Sequence, residues 1–157
     1  MWECPEQWRV SFTWGRFWRR LCTRERISLG TVAAGLLLVF LIAARLTPDP
    51  RGWGTHEQLG FTPCRTTTLF GVPCPFCGMT TAFCLMAHGK PIDALVAQPA
   101  GAIAFVLCAI AFVISIGLGM TGWWPVIPIT SRHIRLVCFI GLALVAFAWA
   151  YKIIIFR

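Results

Sequence analysis

Charge is scarce in this 157-residue chain: 13% of its side chains are charged, where a soluble domain carries about a quarter. Acids are scarcest, and Asp93 is the only one after Glu57. No carboxylate pair stands out for acid–base work. Glycine-rich phosphate loops and serine-nucleophile motifs are also missing. The formal net charge of +8 could suggest nucleic acid, but no helix-turn-helix, zinc-finger or RNA-binding pattern accompanies it. No nucleic-acid partner is therefore expected, and the sequence identifies no reaction.

What fills the chain instead is apolar. Hydrophobic residues make up 57%, and they run without charge from Ile27 to Ala44 and from Ala94 to Ser131. A third run extends from Leu136 to Tyr151 and continues past Lys152. Each is long enough to cross a hydrocarbon core about 30 Å thick. The expected class is therefore all-α and integral to a membrane. Three transmembrane helices are expected at about 27–46, 100–120 and 136–156. Trp123, Trp124, Trp149 and Tyr151 fall at span ends, as interfacial aromatics do, and Lys152 is expected to snorkel towards headgroups. The lipid bilayer is the first partner implied.

The basic residues set an orientation. Arg9, Arg16, Arg19, Arg20, Arg24 and Arg26 precede the first span, and Arg132 and Arg135 precede the third. The positive-inside rule puts these in the cytoplasm, leaving Arg45, Arg51, Arg65, Lys90, Lys152 and Arg157 outside. Residues 1–26 then form a cytoplasmic leader on a single membrane domain, 27–157, whose segment 47–99 faces the exterior of a bacterial inner membrane. A cleavable signal peptide ending near Ala43-Ala44 is the alternative to an uncleaved anchor. Ile42 and the long basic region disfavour it. Within the leader, Val10, Trp14, Phe17, Trp18 and Leu21 make one stripe opposite the arginines. That periodicity predicts an interfacial helix on anionic lipid, against a disordered basic leader.

The eight cysteines are not equivalent. Cys108 and Cys138 lie inside spans as small hydrophobes, and Cys4 and Cys22 belong to a leader expected to keep its thiols reduced. Cys64, Cys74, Cys77 and Cys84 all fall in 47–99. Glycines and prolines up to Pro73 predict an irregular loop with an extended piece near Thr66–Phe70. After Cys74 the pattern turns helical, starting at Pro75 or, because Gly78 is a poor interior residue, near Thr80, and stopping at Gly89. This amphipathic or re-entrant helix carries Phe76, Met79, Phe83 and Met86 on one face and Cys77, Cys84 and His88 on the other. Pro91 to Gln98 forms a second short helix.

Cys74-Pro75-Phe76-Cys77 can close a disulfide, exchange disulfides or supply thiolates to a metal. An oxidising exterior favours the disulfide, drawn from Cys64, Cys74, Cys77 and Cys84. If the segment is a redox centre, Cys74 attacks from a helix N-terminus and Cys77 resolves, with Cys64 and Cys84 as relay thiols. The metal alternative uses Cys74, Cys77, Cys84 and His88, with Cys64 as another possible ligand. No metal and no cofactor is favoured. The tetrapeptide resembles a glutaredoxin active site, but no alternating strands and helices surround it.

The block Gly71-Val72-Pro73-Cys74-Pro75-Phe76-Cys77-Gly78-Met79-Thr80-Thr81-Ala82-Phe83, followed by His88-Gly89 and Pro99, resembles an uncharacterised family of small bacterial membrane proteins, domain of unknown function 2752. The resemblance covers about Gly60 to Ile110 and implies no activity. Family sequences often carry Thr-Arg where this chain has Thr80-Thr81, so no cation is supplied there. The expected function is a small membrane protein whose cysteine segment is a disulfide-stabilised structural or docking element for a membrane or exterior partner. A membrane thiol–disulfide oxidoreductase is the alternative.

Overall fold

A computed structural model describes residues 18–71, 73–125 and 130–155. The elements in order are β1 (Trp18–Arg20), α1 (Thr23–Arg45), a 3-10 helix (Thr55–Leu59), α2 (Arg65–Phe70), α3 (Met79–Ala87), α4 (Pro91–Ala97), α5 (Pro99–Thr121), β2 (Trp123–Pro125) and α6 (Ser131–Ile155). The chain is a helical membrane protein: α1, α5 and α6 are each long and apolar enough to cross a bilayer. Large apolar side chains such as Val113 and Leu142 stand about 70% exposed along them, the exposure a lipid solvent requires.

The ends of the spans have local causes. Glu25 accepts a hydrogen bond from the Cys22 N–H at 3.0 Å, which starts α1 four residues before the uncharged run begins. Pro99 opens α5, where a missing N–H costs nothing, and Gly122 closes it in the left-handed region at φ +69°. α6 begins at Ser131, so Arg132, His133 and Arg135 are helical rather than loop residues.

α1 makes its broadest contact with α5. Between lipid-covered helices the attraction is packing rather than water exclusion, and here aromatic edges supply it. Phe40 meets Phe105 and Phe112 in T-shaped contacts at 5.1 and 5.9 Å, and Phe83 of α3 meets the same Phe105 at 5.4 Å. At the far end β1 pairs antiparallel with β2, Arg20 against Trp123, and Arg26 donates to the Gly119 carbonyl at 3.1 Å. Trp18, Arg19 and Arg20 are thus extended strand, which departs from the interfacial helix expected there. Val10, Trp14, Phe17, Arg9, Arg16 and Cys4 lie outside the described residues.

At the opposite end, α3 and α4 fold over the start of α5. Ala82, Leu85, Ala94, Ala97 and Ala102 form the small core there, with Met86 packed against it. Gly101 lets α5 approach α3 closely: a Cβ on it would stand 2.9 Å from the Ala82 Cβ. Beneath the 3-10 helix, the fully buried hydroxyls of Thr55 and Thr81 share a hydrogen bond at 2.9 Å. Two expectations for this segment change. Thr66–Phe70 is helical rather than extended, because Thr68 bonds back to the Cys64 carbonyl through both its N–H and its hydroxyl. Lys152 does not snorkel; it is buried.

Candidate thiol site

Cys64 sits just before α2, and Gly71 closes that helix at φ +63° and returns the chain towards Cys74. A turn follows in which the Cys77 N–H donates to the Cys74 carbonyl at 3.0 Å. Gly78 then caps α3 at φ +88°. A Cβ there would lie 2.6 Å from the Gly52 carbonyl and 2.8 Å from Lys152 Nζ, so only glycine fits. The result is that the sulfurs of Cys64, Cys74 and Cys77 all lie within 4.8 Å of one another. All three are free thiols, Cys77 buried and the other two half-buried.

Two side chains hold Cys74 from either side. Trp149 of α6 donates its indole N–H to the Pro73 carbonyl at 3.0 Å, and Gln98, fully buried before α5, donates to the Pro75 carbonyl at 2.8 Å. Lys152, one turn beyond Trp149, donates to the carbonyls of Ala97 at 2.6 Å and Gly52 at 3.2 Å. Ala97 ends α4, where helix carbonyls are left open and the dipole favours a cation. No carboxylate among the described residues forms an ion pair with Lys152. The cleft of about 560 Å³ beside it carries Asp49, Arg51, Lys90 and Asp93, and Asp49 is already paired with Arg51 at 2.7 Å. The titratable groups within its electrostatic reach are the thiols of Cys77 and Cys74.

The three thiols differ in acidity. The Thr66 hydroxyl, 2.9 Å from the Cys64 sulfur, together with the Thr67 N–H and hydroxyl and the Cys74 thiol, outweighs partial burial and brings Cys64 down to about 6. Burial pushes Cys74 up, and the adjacent Cys64 adds to the rise. Burial pushes Cys77 up as well, with Lys152 acting against it. Cys64 is therefore the most acidic of the three. Cys74 lacks the helix terminus expected for it, because the turn through Phe76 separates it from α3.

Cys84 and His88 are not brought to this cluster. The Cys84 thiol is fully buried and donates to the Leu46 carbonyl at 2.9 Å, while His88 turns to the Cys84 carbonyl at 2.8 Å. The face shared by Cys77 and Cys84 does not form, because Cys77 precedes the helix. Cys22, expected from its compartment to be a reduced thiol, is disulfide-bonded. Thr66, Thr67, Gln98 and Trp149 were not legible as site residues. Gln98 carried the only signal, a polar side chain in an otherwise apolar run.

Residues 64–112 match the model of a family described as a protein of unknown function (DUF2752), a stretch that contains all three clustered cysteines and Gln98. No curated protein and no solved structure matches the chain.

Proposed function

We propose that this small membrane protein uses Cys64, Cys74 and Cys77 as a thiol–disulfide element in which one bridge and one remaining thiol trade places. The observation that carries the reading is the number of sulfurs: three lie within 4.8 Å, where a static bridge needs two. A thiolate held beside a disulfide attacks it readily, so a third sulfur of low pKa makes exchange the natural chemistry. In the forward direction the Cys64 thiolate attacks a sulfur of a partner disulfide, breaking that S–S bond and releasing one partner thiolate. Cys74 then gives up its proton to water, and its thiolate attacks the Cys64 sulfur. A Cys64–Cys74 bridge forms as the second partner thiolate leaves. Two electrons pass to the partner, and the protein ends oxidised.

A structural or partner-docking bridge is favoured by a different observation, the grip of Trp149 and Gln98 on the backbone either side of Cys74. Differential alkylation with mass spectrometry in native membranes separates the two. Exchange requires a mixture of bridged pairs and, in the double variant Cys74→Ala with Cys77→Ala, which removes both resolving thiols, a trapped covalent adduct through Cys64. A single unchanging bridge with no adduct in that variant refutes it.

The reading includes an orientation with the cysteine segment outside the cytoplasm. The arginines flanking α1 and α6 support it. The disulfide at Cys22 points the other way, since cytoplasmic bridges are rare.

A further inference from the structure

Lys152 poses an electrostatic problem that a disulfide does not solve. It is 6% exposed, reaches its side-chain nitrogen into the cysteine segment and has no carboxylate partner among the described residues. Backbone carbonyls satisfy its protons, yet a buried cation also needs compensating charge. The groups it faces are thiols, and a bridge between any two of them is neutral. Thiols ionised by a bound metal ion would be the complement.

We infer that the reduced trio is a coordination site for a thiophilic metal ion, with Cys64, Cys74 and Cys77 as its three protein ligands and Lys152 as the positioned counter-charge. The inference rests on the same three sulfurs as the exchange reading but assigns them a ligand. Tetrahedral thiolates at about 2.3 Å from zinc lie about 3.8 Å apart, so sulfurs already within 4.8 Å need only a small contraction. Cys74 and Cys77 make the paired turn of a Cys-x-x-Cys knuckle, and Cys64 approaches from a separate element. Three thiolates on a divalent ion leave one negative charge, the complement of Lys152; on a monovalent ion they leave two.

A further buried group points into the same space. The Thr67 hydroxyl is buried beside Cys64 and Cys77, makes no other hydrogen bond, and acts on both sulfurs. Such a hydroxyl would serve as an outer donor to thiolate ligands. Cys84 stays out, its thiol committed to the Leu46 carbonyl. No fourth side chain ligand is present among the described residues. Zinc would take its fourth ligand from solvent, whereas copper(I) would be complete with three thiolates.

The test uses the full chain in detergent, reduced and stripped with chelator, and titrated separately with Zn²⁺, Co²⁺ and Cu⁺. The expected result is one ion bound per chain, with metal-dependent protection of Cys64, Cys74 and Cys77 from alkylation and none of the exposed Cys138. Co²⁺ should show thiolate charge-transfer absorption if the site takes divalent ions, and its absence with Cu⁺ bound would assign the copper form. Cys74→Ser and Cys64→Ser should abolish binding while Cys84→Ser retains it. Lys152→Met should keep the stoichiometry and weaken affinity about tenfold or more, as loss of an outer partner does. The protection pattern of the unmutated protein guards against variants that fail to fold. Absence of binding, or protection that spares any of the three cysteines, overturns the inference. Exchange without metal binding would leave the preceding proposal standing and remove this one; metal binding without exchange would do the reverse.

Discussion

The indole N–H of Trp149 donates to the Pro73 carbonyl at 3.0 Å, joining residues 76 positions apart. Together with Gln98 on the Pro75 carbonyl, it fixes the backbone on both sides of Cys74, one bond from α6 and the other from the junction of α4 and α5. α6 touches α5 only lightly, so this bond and Lys152 are the main ties between the third span and the cysteine segment. Third-span geometry and thiol geometry are thereby linked.

Trp149→Phe tests that link. The ring remains, but the Pro73 carbonyl loses its donor, a loss of about 1 kcal/mol at a half-buried site. Alkylation of Cys74 in membranes should accelerate severalfold, while Cys108, inside α5, keeps its rate. An unchanged Cys74 rate would mean that the indole bond does not restrain the motif.

Gly78→Ala combines two penalties. The residue would sit at φ +88°, and its Cβ would press within 2.6 Å of the Gly52 carbonyl. Left-handed strain alone is about 1–3 kcal/mol for a non-glycine residue. Gly60, at φ +83° with open space around it, isolates that part. Thermal unfolding in detergent should show Gly60→Ala mildly destabilised and Gly78→Ala more so, with its thiols exposed. Equal effects would show that the carbonyl and Lys152 move aside freely.

The spans were legible because charge marks their limits, and in a bilayer a charged side chain has few places to go. Their exact starts were not, since Glu25 can cap and Arg132 and Arg135 can continue a helix beyond the apolar run. Gly78 was readable as a break before the cysteine helix, which indeed begins at Met79. Threonines at 66–68 misled, because their strand preference yields to back-bonding within a short helix. The trio itself was half legible: Cys74 and Cys77 announce themselves by spacing, while Cys64 joins them through the length of α2 and the turn at Gly71. Lys152 could not be read at all, as its receptor carbonyls at Gly52 and Ala97 are distant in sequence.

Cys64 should be the most reactive thiol near neutral pH. Its alkylation rate should rise through about pH 6, with Cys74 and Cys77 following only above the ordinary thiol range. Thr66→Ala removes the largest cause and should shift the Cys64 profile upward. The same lowering links to stability. Between about 6 and the ordinary value of 9.0 the folded state holds fewer protons at Cys64 than the unfolded one. The contribution is therefore fully present above 9.0 and is lost as pH falls through about 6. A Cys64 rate profile indistinguishable from that of Cys108 would refute the assignment.

Orientation is decided by charge against redox chemistry. With Lys152 buried, one of the six basic residues assigned to the cysteine face no longer presents its charge at the surface, which sharpens the imbalance towards the α1 start. Counted this way, Arg132 and Arg135 reinforce the leader arginines at the β1–β2 end, and both clusters lie within reach of span ends, where the positive-inside rule acts most strongly. A periplasm-active reporter fused after Thr55 should therefore be active, and a cytoplasm-active one fused after Trp124 should be active too. The opposite pattern would place the Cys22 disulfide in the oxidising compartment and the three clustered thiols in the reducing one. That outcome would weaken the exchange reading, since glutathione and thioredoxin keep cytoplasmic thiols reduced, and would favour metal coordination by Cys64, Cys74 and Cys77. Reporter topology thus bears on the chemistry as directly as any cysteine variant.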